Sequence, residues 1–363
     1  MSTFNTLLAR NIKLFWRNKE KLVFLLLGPV ITLFVFFFFV RKNFEPGTIH
    51  TRFLELSSVP EESLNALRKA GVIELHYSSE FTSNVTNYLF NGTLISGLIT
   101  ITGFTTAIQL SQNIVWDREN RTLDDFFIAP TRTTTIRLSY VVFNIIFNLM
   151  ITLLTLFAIY TYIYAKFPDS PFTNYETFLS IVGITVLICL INSMFFVFVF
   201  SYVKTMSVFQ VLNGLLSSVG GFLIGGYFPV SFLPNYLSAP ISFIPQTQAG
   251  ILLKNIATAN QFITADFNTL TPDNIMFTIN NGNANEMKTV LEFFKATHDP
   301  NYMTTAATFV KKLTDGINEG IINSAKVTIA GQEVEKYISV IYSLSMVALF
   351  TVLLLVLKVS RRK

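Results

Sequence analysis

Residues Leu22 to Val40 read LVFLLLGPVITLFVFFFFV, a run without a single Asp, Glu, Lys or Arg. Hydrocarbon about 30 Å thick is crossed by about 20 apolar residues of helix, so this run is long enough to span a bilayer. Five more runs of the same kind follow, at roughly 88–111, 138–165, 178–201, 207–230 and 338–357. Composition points the same way. Of 363 residues, 51% are hydrophobic, 37 are Phe and 13% are charged. Soluble domains carry roughly 25% charged residues, and so few charges cannot cover a water-facing surface. The expected fold class is therefore an all-α integral membrane protein with six transmembrane helices.

The first run is preceded by Arg10, Lys13, Arg17, Lys19 and Lys21, the layout of a signal peptide. Its length exceeds a signal-peptide core, and it ends in Val40-Arg41-Lys42 rather than at small residues, so a retained anchor is expected. Six spans put both ends on one side. With the ends inside, 14 basic residues fall in about 58 inner positions and 13 in about 166 outer ones. That threefold density difference, about the bias the positive-inside rule describes, places both termini in the cytoplasm. The net charge of +5 is thus read as topology rather than as a nucleic-acid footprint.

All 22 acidic and 27 basic residues lie outside the six runs. Ion-coupled carriers need a buried ionisable group, so a secondary carrier is disfavoured. The polar residues within or beside the runs are neutral. Asn144 and Asn148 share a helix face and are expected to hydrogen-bond between helices, and Asn192 likewise. Gly220-Gly221 and Gly225-Gly226 are expected at close helix contacts, and Pro29 inside the first run at a kink. One Cys excludes a disulfide framework, and His50, His76 and His298 have no ligand spacing, so no metal site is expected. No phosphate-binding Gly-x-x-x-x-Gly-Lys-Ser/Thr loop and no Ser-His-Asp pattern stands out. The chain is expected to be no enzyme and to hold no cofactor of its own.

Two inner elements carry more information. At 100° per residue, 2–18 gathers Arg10, Lys13 and Arg17 on one side and Phe4, Leu7, Leu8, Ile12, Leu14, Phe15 and Trp16 on the other. A helix lying in the interface is predicted over 1–21, its apolar face among acyl chains and its basic face near headgroups. The segment 112–137 mixes alternating charges with Leu123, Phe126, Phe127 and Pro130 at helical spacing. A short helix offered to a cytosolic protein groove and a connector lying on the membrane surface fit that pattern about equally.

The same stretch, Asp117-Arg118-Glu119-Asn120-Arg121-Thr122-Leu123-Asp124 followed by Pro130 and Arg132, resembles the loop between the second and third spans of ABC-2 type transporter permeases. It departs from that loop at Arg121, where the family has Gly and a bend, and at Asp124, where it has Glu. Gly225-Gly226-Tyr227-Phe228-Pro229 with Pro234, Pro240 and Pro245 is similar to the family's Pro-rich segment after the fifth span. Short re-entrant or outer helices are expected there, over 231–254. The resemblance implies a homodimer of permeases in a plasma membrane, of bacterial type, capped by two cytosolic ATPase subunits that hold ATP and Mg. It also implies that Glu119, Thr122, Leu123 and Asp124 couple to the ATPase, with Phe126 and Phe127 as an inserted knob and Pro130 and Arg132 closing the motif. Helices two and five would line the substrate path, with Gln109, Asn113, Gln210 and Asn213 as the local candidates.

Two outer segments remain, 41–87 and 255–337, the second expected to be mostly helical. A helix is predicted from Ser58 to Lys69 and a short strand over Val72 to His76. An Asn-Gly-Asn turn at 281–283 precedes two amphipathic helices, Asn285 to Thr297 and Asn301 to Asn323, packed on each other. A basic tail, 358–363, closes the chain. The function expected is a permease subunit of an exporter moving an amphipathic drug, lipid-like or peptide-like compound outward. The alternative is a transducer that pulls on its outer segment without transporting anything.

Overall fold

The computed structural model describes residues 3–40, 72–77, 79–123, 126, 132–166, 172, 174–227, 230, 233–259, 271–273, 275–280, 285–296 and 300–356. The elements begin with α1 (Thr3–Arg17), α2 (Lys19–Val35), which runs into a π-helical turn at Phe36–Val40, β1 (Val72–Tyr77), α3 (Ser79–Leu110) and α4 (Gln112–Glu119). They continue with α5 (Thr133–Lys166), α6 (Tyr175–Phe200), α7 (Met206–Leu223), α8 (Asn235–Ser242) and α9 (Pro245–Lys254). The last are β2 (Ile275–Asn280), β3 (Asn285–Thr289), α10 (Val290–Ala296), α11 (Tyr302–Ser324), β4 (Thr328–Ile329), β5 (Gln332–Glu333) and α12 (Lys336–Val356). Two compact units result: Met1–Phe38 with Thr93–Ala257 and Lys326–Lys363, and Phe39–Gly92 with Thr258–Ala325.

Six helical stretches are long and apolar enough to cross a membrane: Lys19–Phe39, Asn87–Glu119, Thr133–Lys166, Tyr175–Phe200, Met206–Leu223 and Lys336–Val356. They match the six sequence runs in number and order, with shifted ends. The second stretch reaches Glu119 because only Ser111 separates α3 from α4, and its hydroxyl donates to Ala107 O at 2.8 Å. The fifth stops seven residues early. Gly225 takes the left-handed conformation (φ 71°) after Ile224, and Gly226 N donates to Gly221 O while Gly225 N donates to Phe222 O. This double bond pattern is a Schellman ending, which glycine adopts without a Cβ penalty. The two Pro-punctuated helices α8 and α9 follow as expected, with Pro234 just before the first and Pro245 opening the second. Gln248 anchors α9. Its amide donates to Ser242 O (2.6 Å) and Thr328 O (2.7 Å) and accepts from Ser339 Oγ (2.9 Å), joining α8, β4 and α12.

Among its described residues the second unit is more helix than strand, but it carries a sheet that the sequence reading did not assemble. It contains an antiparallel sheet in the order β1-β2-β3, with His76 opposite Met276 and Thr278 opposite Met287. The strand expected at Val72 is present, but Asn285 to Thr289 is a strand where a helix was expected. The helix starts at Val290 because Thr289 and Glu292 cap each other reciprocally, Glu292 N to Thr289 Oγ1 and Thr289 N to Glu292 Oε2, both at 3.1 Å. Met287 shares helical spacing with Val290 and Phe294 only by coincidence of strand and helix phases. α10 and α11 pack on each other as expected, through Phe294 and Phe309 (ring centroids 5.9 Å) around buried Val290, Val310 and Leu313. The predicted helix at 58–69, the turn at 281–283 and the tail at 358–363 lie outside the described residues.

In the first unit the second membrane-capable stretch is the most enclosed, 89% buried against 22% for α7 and α12. The side chains of Ser96, Thr100 and Thr105 turn back onto their own helix, Thr100 onto Ser96 O at 2.7 Å. Small residues then let neighbours approach: a Cβ on Gly97 would lie 2.3 Å from Gly226 O. α5 binds this helix through amides. Asn144 donates to Ala107 O (2.9 Å) and Ser111 Oγ (3.0 Å), and Asn148 to Gly103 O (3.0 Å) and Ser193 Oγ (3.3 Å). Interhelical bonds in a bilayer average well under 2 kcal/mol each. Asn148→Leu should therefore lower the stability of the detergent-solubilised protein by about 1 kcal/mol, read as a fall in Tm. An unchanged Tm would show that the ladder contributes no net stability.

Candidate functional site

The site starts from one carboxylate. Asp117 lies in α4, one turn beyond Ile114, on a face that buries Ile114 and Val115, and it is 4% exposed. A carboxylate so placed needs charge and hydrogen-bond partners, because its desolvation otherwise costs several kcal/mol. Arg10 of α1 supplies both, with Nη1 to Oδ2 and Nη2 to Oδ1 each at 2.8 Å, a bidentate pair. The Tyr140 hydroxyl of α5 donates to the same Oδ2. The bond to Asp117 outweighs partial burial and raises the Arg10 pKa above its usual value, so the guanidinium stays charged. Its carbon also lies 5.0 Å from the centre of the Phe126 ring.

Apolar packing seats α1 in the position this pair requires. Phe15 is buried against Phe143 and Phe147 of α5, with centroids at 5.8 and 4.5 Å. Leu8 and Ile12 pack on the same cluster. Two of the expected roles for α1 therefore change. Arg10 is turned inward to Asp117 rather than toward headgroups, and the Phe15 side of the apolar face covers protein, while Leu14 and Trp16 stay exposed. A single residue, Asn18, separates α1 from α2, and its side chain caps α2 by accepting from Lys21 N (3.1 Å). Lys21 then donates to Asn113 Oδ1 (3.3 Å) with its amine 5.8 Å from the Trp116 ring centre. On the far side, Arg118 donates to the carbonyl of Ser201 at the end of α6.

Beside this cluster is a cavity of about 580 Å³ bordered by α2, the α3–α4 junction and α7. Gln109, Asn113, Gln210 and Asn213 all line it, with Glu20 and Lys21. Leu25, Leu27 and Ile31 supply apolar wall.

A family model for ABC-2 type transporters matches residues 2–253, which hold α1, the carboxylate cluster and every cavity-lining residue. The chain belongs to the ABC-2 type transporter family. No curated protein and no solved structure matches it. It is thus a membrane permease subunit of an ABC-type transporter.

Within this permease the motif residues separate. Glu119 ends α4 and is exposed; Thr122 and Leu123 are helical and half-buried; Phe126 stands beside Arg10; Arg132 is exposed just before α5. Asp124, Phe127 and Pro130 lie outside the described residues. The structure thus brings Phe126 to α1 and sets all four path candidates around one cavity. Sequence reasoning missed Asp117, Tyr140 and Lys21. The available signal was Asp117 itself, a charge three residues after Ile114 in an apolar phase, which demands a cation. Among the described residues no group of three metal-ligating side chains gathers.

Arg121, where the sequence departs from the loop it resembles, carries φ 61°, which puts a long side chain in the left-handed region at the bend after α4. That conformation costs a non-glycine residue about 1 kcal/mol. Arg121→Gly should raise stability by up to about 1 kcal/mol, and a lower Tm would contradict this account of the bend. Arg10→Ala should cost about 3 kcal/mol by leaving Asp117 uncompensated, while Arg10→Met with Asp117→Leu should cost less than the single changes summed. Simple additivity in that thermal-unfolding cycle would mean that the pair is not coupled.

Proposed function

We propose that the chain is the permease of an ATP-driven exporter moving an amphipathic drug, lipid-like or peptide-like compound outward across a plasma membrane, of bacterial type. Both termini face the cytoplasm. Two copies of the chain form the conduit, and a separate cytosolic ATPase, holding ATP and Mg, docks on each. The observation that carries this reading is the joining of α1, α4 and α5 at Asp117, with Arg10 simultaneously against Phe126. An ATPase pressing on 119–132 would displace Phe126 and Leu123. That motion would reach α1 through the Arg10 guanidinium and α5 through Tyr140, and α1 adjoins α2 at one cavity wall. Packed side chains and ion-pair networks of this kind are a physical route by which coupling is carried between sites.

The amides and apolar side chains of the lining support the substrate class. Amides among Leu and Ile can bind alternate polar and apolar parts of one molecule, whereas an inorganic ion asks for rings of charge or carbonyls. A knob of Phe126 and Phe127 would enter a groove of the partner, with Glu119, Thr122, Leu123, Asp124, Pro130 and Arg132 around it.

Capture of the tagged chain from its native membrane, followed by mass spectrometry, should recover a nucleotide-binding subunit. Leu123→Asp should abolish stimulation of that subunit's ATPase by the permease while membrane insertion and Tm stay as in the parent. Full stimulation by this variant would remove Leu123 from the coupling surface. A purified complex without any ATPase would overturn the exporter reading.

A further inference from the structure

We infer that the cavity between α2, the α3–α4 junction and α7 takes a zwitterionic amphiphile, a phosphate and an ammonium on one head carrying an apolar tail. The inference rests on the exporter reading and narrows its substrate class. The cavity has a definite axis. At one end Lys21 donates to Asn113, and at the other Gly28 stands against the Gln109 amide, 3.9 Å from where its Cβ would be. Between these levels α2 advances seven residues, about 10 Å at 1.5 Å per residue. The charged groups, Glu20 and Lys21, are confined to the first turn of α2, and the apolar wall, Leu25, Leu27 and Ile31, lies beyond them.

The two charges decide the head. An anionic amphiphile would satisfy Lys21 but place its phosphate beside the carboxylate of Glu20, a like-charge contact that opposes binding. A cationic one reverses the fault at Lys21. A head carrying both charges pairs with each: its phosphate with the Lys21 ammonium, which already bonds Asn113, and its amine with Glu20, which is exposed at the mouth. The amides of Gln109, Gln210 and Asn213 then face the ester or amide groups that join head to tail, and Leu27 and Ile31 face the tail. The volume of about 580 Å³ is in the range of small-molecule sites, enough for a head and the first part of a chain rather than a whole lipid.

Trp116 beside Lys21 provides the probe. The full chain carrying Trp16→Phe, whose remaining tryptophan is Trp116, is placed in nanodiscs with a trace of short-range-quencher lipid. Three quencher lipids are compared: phosphatidylethanolamine, phosphatidylglycerol and diacylglycerol. Quenching should be strongest for phosphatidylethanolamine and weakest for diacylglycerol, with steps of about threefold to fivefold, the range for a partly solvated charge pair. Glu20→Gln should bring phosphatidylethanolamine down to phosphatidylglycerol. Lys21→Gln should lower both phosphate lipids toward diacylglycerol. Excess soluble phosphoethanolamine should not relieve the quenching, which assigns the ligand to the lipid phase. Equal quenching by the three lipids, selectivity that survives both substitutions, or displacement by the soluble head would overturn the inference. Tm measured for each variant separates loss of the site from loss of the fold. Lost selectivity with ATPase stimulation intact removes this inference alone, and retained selectivity without any ATPase partner removes the exporter reading alone.

Discussion

One buried carboxylate constrains how α1, α4 and α5 meet in this permease. Asp117 is nearly enclosed, and an enclosed negative charge is tolerated only with partners that replace its lost hydration. Those partners come from two other segments, Arg10 of α1 and Tyr140 of α5. Three pieces of chain far apart in sequence are therefore fixed relative to one another by a single group. The aromatic packing of Phe15 on Phe143 and Phe147 holds α1 where Arg10 can reach, so the apolar and ionic contacts specify one seating. Arg10 also stands over the Phe126 ring, so the segment after α4 touches the same guanidinium that serves Asp117.

Neutral amides serve two purposes in the same bundle. Asn144 and Asn148 donate their amide hydrogens to facing helices and hold α5 against α3 and α6 without burying a charge. Gln109, Asn113, Gln210 and Asn213 instead border open volume. Glycine permits the close contacts around them, and a Cβ at Gly97 or Gly226 would collide with a neighbouring backbone or side chain. A core built this way is close-packed where amides and glycines meet facing helices and accessible where the amides border the cavity.

Much of the architecture was legible. The six membrane-capable helices follow from long uncharged runs, since no other backbone arrangement but a closed barrel satisfies its hydrogen bonds in lipid. The amphipathic α1, the Pro-punctuated α8 and α9, and the strand at Val72 also followed from periodicity and breakers. The second unit was read less well. Its sheet pairs β1 with β2, about 200 residues away in the chain, and Thr289-Glu292 marks the helix start that the apolar spacing of Met287 obscured. Side-chain spacing within a segment carries no information about a distant pairing partner. The bend at Arg121 likewise could not be read from residue type, because a left-handed arginine is set by the turn around it.

The sequence by itself determined that the chain is a membrane helical protein, which segments are long and apolar enough to cross, and which loop resembles that of the family. These depend on local quantities: run length, charge density and the order of a few residues. Only the tertiary structure decided that Arg10 serves Asp117, that Lys21 and Asn113 meet, and that four scattered amides surround one cavity. Each of those facts is a distance between residues on different helices. Helix packing sets such distances through shape and through the need to satisfy every buried charge, and neither is written in any one segment.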